Sequence, residues 1–161
     1  KGVGTTFVIR VPFKIDLDAD KREESKDVSE KSIKGMHVLL AEDNELNMEI
    51  AEFLLQNEGA EVTKAWNGQE IVELFRKSEA GEFDVILMDI MMPIINGYEA
   101  AKRIRSLDRE DAKKIPIIAM TANAFTEDRI RAKEAGMDEH VAKPIDVELL
   151  IKVIHKLVKH N

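Results

Sequence analysis

Five groups suited to metal-assisted phosphoryl chemistry stand at the ends of apolar runs. Asp89 closes the run Phe83-Asp84-Val85-Ile86-Leu87-Met88, and Glu42 and Asp43 close Met36 to Ala41. Thr121 closes Ile115 to Met120, and Lys143 follows His140-Val141-Ala142. Three carboxylates gathered in one pocket repel one another unless a cation intervenes. Mg²⁺ suits such a pocket because it takes oxygen ligands and keeps several waters. Glu42 and Asp43 read as the paired metal ligands, with the Met91 backbone carbonyl completing the protein's share. Asp89 stands alone at its strand end and reads as a nucleophile, since a carboxylate can attack phosphorus to give an acyl phosphate. Lys143 supplies a cation and Thr121 a hydroxyl for the phosphoryl oxygens. In such transfers the protein contributes mainly positioning and charge neutralisation.

Taken singly, each residue has a plainer use. Asp43-Asn44 would cap the helix that follows, Thr121 would cap another, and Lys143-Pro144 would make an ordinary turn. The agreement of all five at matched strand ends favours the chemical reading. The elements that must position them follow from hydrophobic periodicity. Strands are predicted over 36–42, 60–65, 83–88, 115–120 and 139–142, and helices over 45–58, 68–78, 97–107, 124–135 and 146–159. Continuous apolar runs such as 36–41, 83–88 and 115–120 mark parallel strands covered on both faces. Right-handed crossovers then put helices on both faces of one sheet. In the strand order 2-1-3-4-5, a cleft opens between the first and third strands, at their carboxyl ends. Helical stripes at Val147, Leu150, Ile151, Ile154, Leu157 and Val158, and at Ile71, Leu74 and Phe75, read as core. Gly59, Gly81 and Gly136 fall just past helix ends, where left-handed caps are wanted.

The 161 residues allow one good domain plus extras. A net charge of −7 with one Trp and one Tyr argues against nucleic-acid binding by this segment. No run is apolar enough to span a bilayer. The absence of cysteine excludes disulfides and thiolate metal sites, which fits a cytoplasmic setting. Residues 1–15 read as one strand with Phe7, Ile9, Val11 and Phe13 on one side. Residues 16–31 carry eleven charged residues of sixteen, the composition of a flexible linker. The organisation expected is a strand remnant over 1–15, a linker over 16–34 and the alternating domain over 35–161.

The pieces VLLAEDNELN, DVILMDIMMPIINGYEA, IPIIAMTANAF and AGMDEHVAKPI together resemble a response-regulator receiver domain, from about Met36 to Asn161. The resemblance implies a flavodoxin-like (βα)5 sandwich whose Asp89 accepts a phosphoryl group from a phosphohistidine. It also implies Mg²⁺ held by Glu42, Asp43, Asp89 and the Met91 carbonyl. Thr121 would be the switch hydroxyl, Lys143 the phosphate-binding lysine, and Lys143-Pro144 a cis bond. Two positions depart from the family's pattern. Its Met-Asp-Gly is Ile95-Asn96-Gly97 here, and Asn suits the same turn. Its switch aromatic is His140 here, so the usual coupling of Thr121 to an aromatic rotamer does not carry over; His140 could add pH sensitivity, but a partly exposed, inert histidine is the plainer reading. GVGTTFVIRVP resembles the last glycine-rich turn and strand of a histidine kinase ATP-binding domain. That suggests a fragment of a hybrid histidine kinase, whose parent chain would carry the kinase activity. The segment itself would catalyse only transfer to Asp89 and its reversal by water.

The partner implied is a phosphohistidine-bearing kinase domain or histidine phosphotransfer protein, docked on the first helix. On that helix Ile50, Phe53, Leu54 and Asn57 have core spacing, and Met48 and Leu55, off that stripe, read either as an exposed contact patch for the partner or as packed on the flanking loops. Met91 and Asn123, two places after Asp89 and Thr121, offer no base to a hydrolytic water, so a long-lived phosphoryl group is expected. A stand-alone response regulator, signalling by phosphorylation-dependent binding, is the alternative. A hydrolase with an aspartate nucleophile is disfavoured, since it needs an acid where Met91 stands.

Overall fold

The computed structural model describes residues 32–122 and 126–158. The strand expected over 1–15, residues 16–31 of the linker expected over 16–34, and the residue Asn123 lie outside the described residues. The order of elements is β1 (His37–Ala41), α1 (Glu45–Asn57), β2 (Glu61–Ala65), α2 (Gly68–Lys77), β3 (Val85–Asp89) and α3 (Gly97–Arg105). It continues with α4 (Glu110–Lys114), β4 (Ile117–Thr121), α5 (Thr126–Glu134), β5 (Glu139–Ala142) and α6 (Val147–Val158). The five strands form one parallel sheet in the order β2-β1-β3-β4-β5. This is the flavodoxin-like arrangement, with the reversal of strand order falling between β1 and β3.

Alternation along the strands divides the core into two layers. Leu39, Ala41, Ile86, Met88, Ile117 and Ala119 face one side, where they meet Ile71 and Phe75 of α2, Ala100 and Ile104 of α3, and Ala132 of α5. Val38, Leu40, Val85, Leu87, Ile118 and Met120 face the other, against Met48, Ala51 and Leu55 of α1 and Leu150, Ile151 and Ile154 of α6. The central strands β3 and β4 are buried throughout, which is why they read as unbroken apolar runs. β2 is an edge strand, and its sequence EVTKA is correspondingly polar.

Two expectations need correction. In α1 the buried residues are Met48, Ala51 and Leu55, whereas Leu46, Ile50 and Phe53 are exposed. Met48 and Leu55 therefore belong to the core and form no contact patch. The apolar residues of α1 span more than half of the helix, from Phe53 and Leu46 round to Met48, so spacing alone does not select the inner face. Ala51, a small residue between Met48 and Leu55, lies on the face that is buried. The short helix α4 was also not expected. Its sequence EDAKK places only Ala112 in the core and so carries no apolar period.

Candidate functional site

The cleft is built from the carboxyl ends of β1, β3 and β5. Glu42 follows β1, and its backbone N–H donates to the Ala65 carbonyl at 3.1 Å, continuing the pairing with β2. Its carboxylate is 2% exposed and both oxygens are engaged. Oε1 accepts from the Asn47 side-chain amide at 2.9 Å, and Oε2 accepts from the Lys143 ammonium. Asp89 is 5% exposed; its Oδ2 lies 2.6 Å from Lys143 Nζ, and its Oδ1 accepts from the Met91 backbone N–H at 3.1 Å. Asp43 is exposed at the rim. One carboxylate oxygen from each of Glu42, Asp43 and Asp89 lies within 4.8 Å of the others.

Burial pushes the Asp89 carboxyl above its ordinary value, and the hydrogen bonds from Lys143 and Met91 pull back without cancelling that effect. For Lys143, burial works against the charged form, but the hydrogen bonds to Asp89 and Glu42 outweigh it and hold the ammonium above its usual range. Lys143 thus stands between two buried acids as the cation that makes their proximity tolerable. The donor set is all carboxylate, without imidazole or thiolate. That suits a hard, oxygen-seeking divalent ion and gives a soft metal no preferred ligand.

Local sequence explains the placement. Asn44 Oδ1 accepts from the Asn47 N–H at 3.1 Å and caps α1, so Asp43 is not the cap and its carboxylate belongs to the acid cluster. Asn96 caps α3 in the same way, accepting from the Glu99 N–H at 2.9 Å, as the Asn-Gly turn anticipated. Gly97 must be glycine, because a Cβ there would sit 2.3 Å from the Asp89 carbonyl oxygen. A Cβ at Gly68 would sit 2.2 Å from the Ile95 carbonyl. Two helix starts therefore press directly on the loop that carries Asp89. Within that loop Ile94 has φ of 70°, the left-handed region that a β-branched residue adopts only under strain.

Thr121 ends β4, is 8% exposed, and its carbonyl accepts the Lys143 N–H at 2.8 Å. The Lys143-Pro144 bond is cis. His140 pairs in register with Ala119 on β5, and its half-buried ring has Nδ1 3.9 Å from Glu139 Oε2. Of the residues singled out in the sequence, Glu42, Asp43, Asp89 and Lys143 converge; Thr121 stands at the neighbouring strand end and Met91 on the loop beyond Asp89. Asn47 was missed. Its place five residues after Glu42 matches no helical contact rule, because Glu42 lies before the helix begins.

The response regulator receiver domain family matches residues 38–155. Histidine kinase 1 of Arabidopsis thaliana is 34% identical over 161 residues, which cover 81% of this chain and 13% of that protein. Hybrid signal transduction histidine kinase I of Dictyostelium discoideum is 40% identical over 120 residues, covering 73% of this chain and 7% of that protein. The chain therefore spans only a small part of the kinases it matches. Among solved structures, the receiver domain of a sensor histidine kinase from Pseudomonas aeruginosa PAO1, with a magnesium ion coordinated in its active site cleft, is 34% identical. The match has a TM-score of 0.69 and covers 78% of this chain and 98% of that one. The receiver domain of Ssk1 from Saccharomyces cerevisiae, solved with the histidine phosphotransfer signaling protein Ypd1, is 28% identical, with a TM-score of 0.68 and coverage of 78% and 90%. With the acid cleft, the strand order and the matched family in agreement, the chain belongs to the response regulator receiver domains of two-component and phosphorelay systems.

Proposed function

We propose that Asp89 takes a phosphoryl group from a phosphohistidine, carried by a kinase domain or a histidine phosphotransfer protein. The observation that carries this reading is the contact of Lys143 with both Glu42 and Asp89, with Asp43 at the rim. An Asp89 carboxylate oxygen bonds to phosphorus as the phosphorus–nitrogen bond breaks, and the electron pair returns to the imidazole. Glu42, Asp43, Asp89 and the Met91 carbonyl would hold Mg²⁺, which when bound neutralises charge on the phosphoryl oxygens. Lys143 then transfers its contact from the Asp89 carboxylate to the phosphoryl group, and the Thr121 hydroxyl donates to another of its oxygens. Thr121 and its loop are the switch, with His140 in the position of the usual aromatic ring. Neither Met91 nor Asn123 offers a base, so the acyl phosphate is long-lived and suited to relay.

The donor docks on the exposed face of α1, where Leu46 (64% exposed), Ile50 and Phe53 form an apolar stripe beside the cleft. The parent protein is a hybrid histidine kinase acting in the cytoplasm, with the kinase remnant at 1–15, the linker at 16–34 and the receiver at 35–161. The kinases among its relatives favour this over a stand-alone regulator. Among the described residues no helix is long and apolar enough to cross a membrane.

The test is intact mass after incubation with acetyl phosphate and Mg²⁺. One phosphoryl adduct is expected, absent from Asp89→Asn and absent after chelation. An adduct that survives in Asp89→Asn would overturn the assignment. So would the lack of any adduct with both acetyl phosphate and a phosphohistidine-bearing transfer protein.

A further inference from the structure

The chain has seven methionines, and all lie within the described residues. Met48, Met88 and Met120 are fully buried, Met137 and Met92 are 4% and 9% exposed, and Met36 is half-buried. Met91 is 77% exposed. It is also the methionine whose backbone N–H donates to Asp89 Oδ1 at 3.1 Å, on the loop leading directly from the reacting carboxylate. The one thioether offered to solvent is thus attached to the acid cleft. Buried thioethers are shielded from small oxidants, and an exposed one is not.

We propose that Met91 is a site of reversible oxidation by hydroperoxides, and that its oxidation shortens the life of the phosphoryl group on Asp89. The Met91 sulfur attacks the outer peroxide oxygen, the oxygen–oxygen bond breaks, and a sulfur–oxygen bond forms. The sulfur loses two electrons and the peroxide gains them, leaving as water or an alcohol once its proton is placed. The product is methionine sulfoxide, which sulfoxide reductases return to the thioether. Oxidation replaces an apolar, poorly hydrated side chain with one that carries a strong hydrogen-bond acceptor. The Met91 backbone bonds Asp89 Oδ1, so the new acceptor, two residues from the acyl phosphate, holds water more strongly near it than the thioether does. This second consequence rests on the phosphoacceptor reading of Asp89; the oxidation itself does not.

The full chain is treated with hydrogen peroxide, and the oxygen added at each methionine is followed by peptide mass mapping. Met91 is expected to gain oxygen far faster than the other six, and Met91→Leu to abolish that fast phase. Oxidation spread evenly, or led by a buried methionine, overturns the proposal. Treated and untreated protein are then loaded with acetyl phosphate and the adduct's decay is timed. A several-fold shorter half-life after oxidation is expected, reversed by sulfoxide reductase, matched without oxidant by Met91→Gln and insensitive to peroxide in Met91→Leu. An unchanged half-life overturns the effect on Asp89. A failure of both samples to load from acetyl phosphate and from a phosphohistidine-bearing transfer protein would sink the phosphoacceptor reading, and with it the effect on Asp89, while the oxidation pattern stands or falls on its own data.

Discussion

At the carboxyl ends of the strands, Glu42, Asp43 and Asp89 crowd around Lys143. At the amino ends, two arginines bind carbonyls and carboxylates from several elements. Arg109 donates to the carbonyls of Phe75, Ser78 and Glu79, closing the end of α2, and pairs with Asp111 through two nitrogens. Its guanidinium lies 4.5 Å from the Phe75 ring centre. Arg105 donates to the Gly136 and Ala112 carbonyls and to Asp138, which in turn accepts the Ile117 N–H at 2.8 Å. The arginine end is a closed network of matched partners that ties α2, α3, α4, α5 and β4 together. The acid end is left in electrostatic deficit, with three carboxylates around one lysine, and on the proposed function that deficit is what a cation and a phosphoryl group answer. Stability and responsiveness are thus separated along the strand axis.

Replacing one residue at each end sharpens the contrast. Lys143→Met should slow loading of Asp89 by about 100-fold, the usual effect of deleting one oxyanion partner, as read by intact-mass time courses on protein shown to be folded. Arg109→Met should do the reverse. It should cost roughly 3 kcal/mol in urea denaturation, through lost charge-assisted hydrogen bonds and an unpaired Asp111, and leave the loading rate of the folded protein unchanged. A slow Arg109→Met would break the separation.

The acid limb of stability is a milder probe of the arginine end. The hydrogen bond from Arg109 holds the Asp111 carboxyl down at about 2, below the ~3.9 of an unfolded chain. A lowered carboxyl stabilises the fold above the unfolded value and loses that contribution as pH falls through the folded one. Roughly 2 kcal/mol should therefore be present above about pH 4 and fade toward pH 2. The check is a series of urea midpoints from pH 5 down to 2. Arg109→Met should flatten that limb. The smallest effect belongs to the strained loop at the acid end. Ile94 is 76% exposed and gives up little packing on replacement, so Ile94→Asn should raise stability by about 1 kcal/mol. No gain in the urea midpoint would remove Ile94 as a strained position.

The sheet and the acid cleft were legible because buried parallel strands leave unbroken apolar runs, and each run here stops at a polar group. The inner face of α1 was not legible, because its apolar residues cover more than half of the helix surface and the buried Ala51 looks neutral in a hydrophobic count. Asn47 escaped notice because its contact with Glu42 spans a cap, where helical spacing does not apply. The short α4 escaped because Arg109, rather than an apolar stripe, anchors its neighbourhood. The glycines at 68 and 97 look like ordinary turn residues until the neighbouring carbonyls are seen.

The contact between Lys143 and Glu42 joins residues 101 positions apart. During synthesis the acids emerge long before their cation, and β5, which delivers Lys143, is the last strand of the sheet. A growing chain that has reached only β4 holds its carboxylates without the lysine that reconciles them. Pairings so distant in sequence form late. The nascent receiver thus has no complete acid–lysine cleft until most of it has left the ribosome, and on the proposed function it cannot act as an acceptor before its last strand is in place.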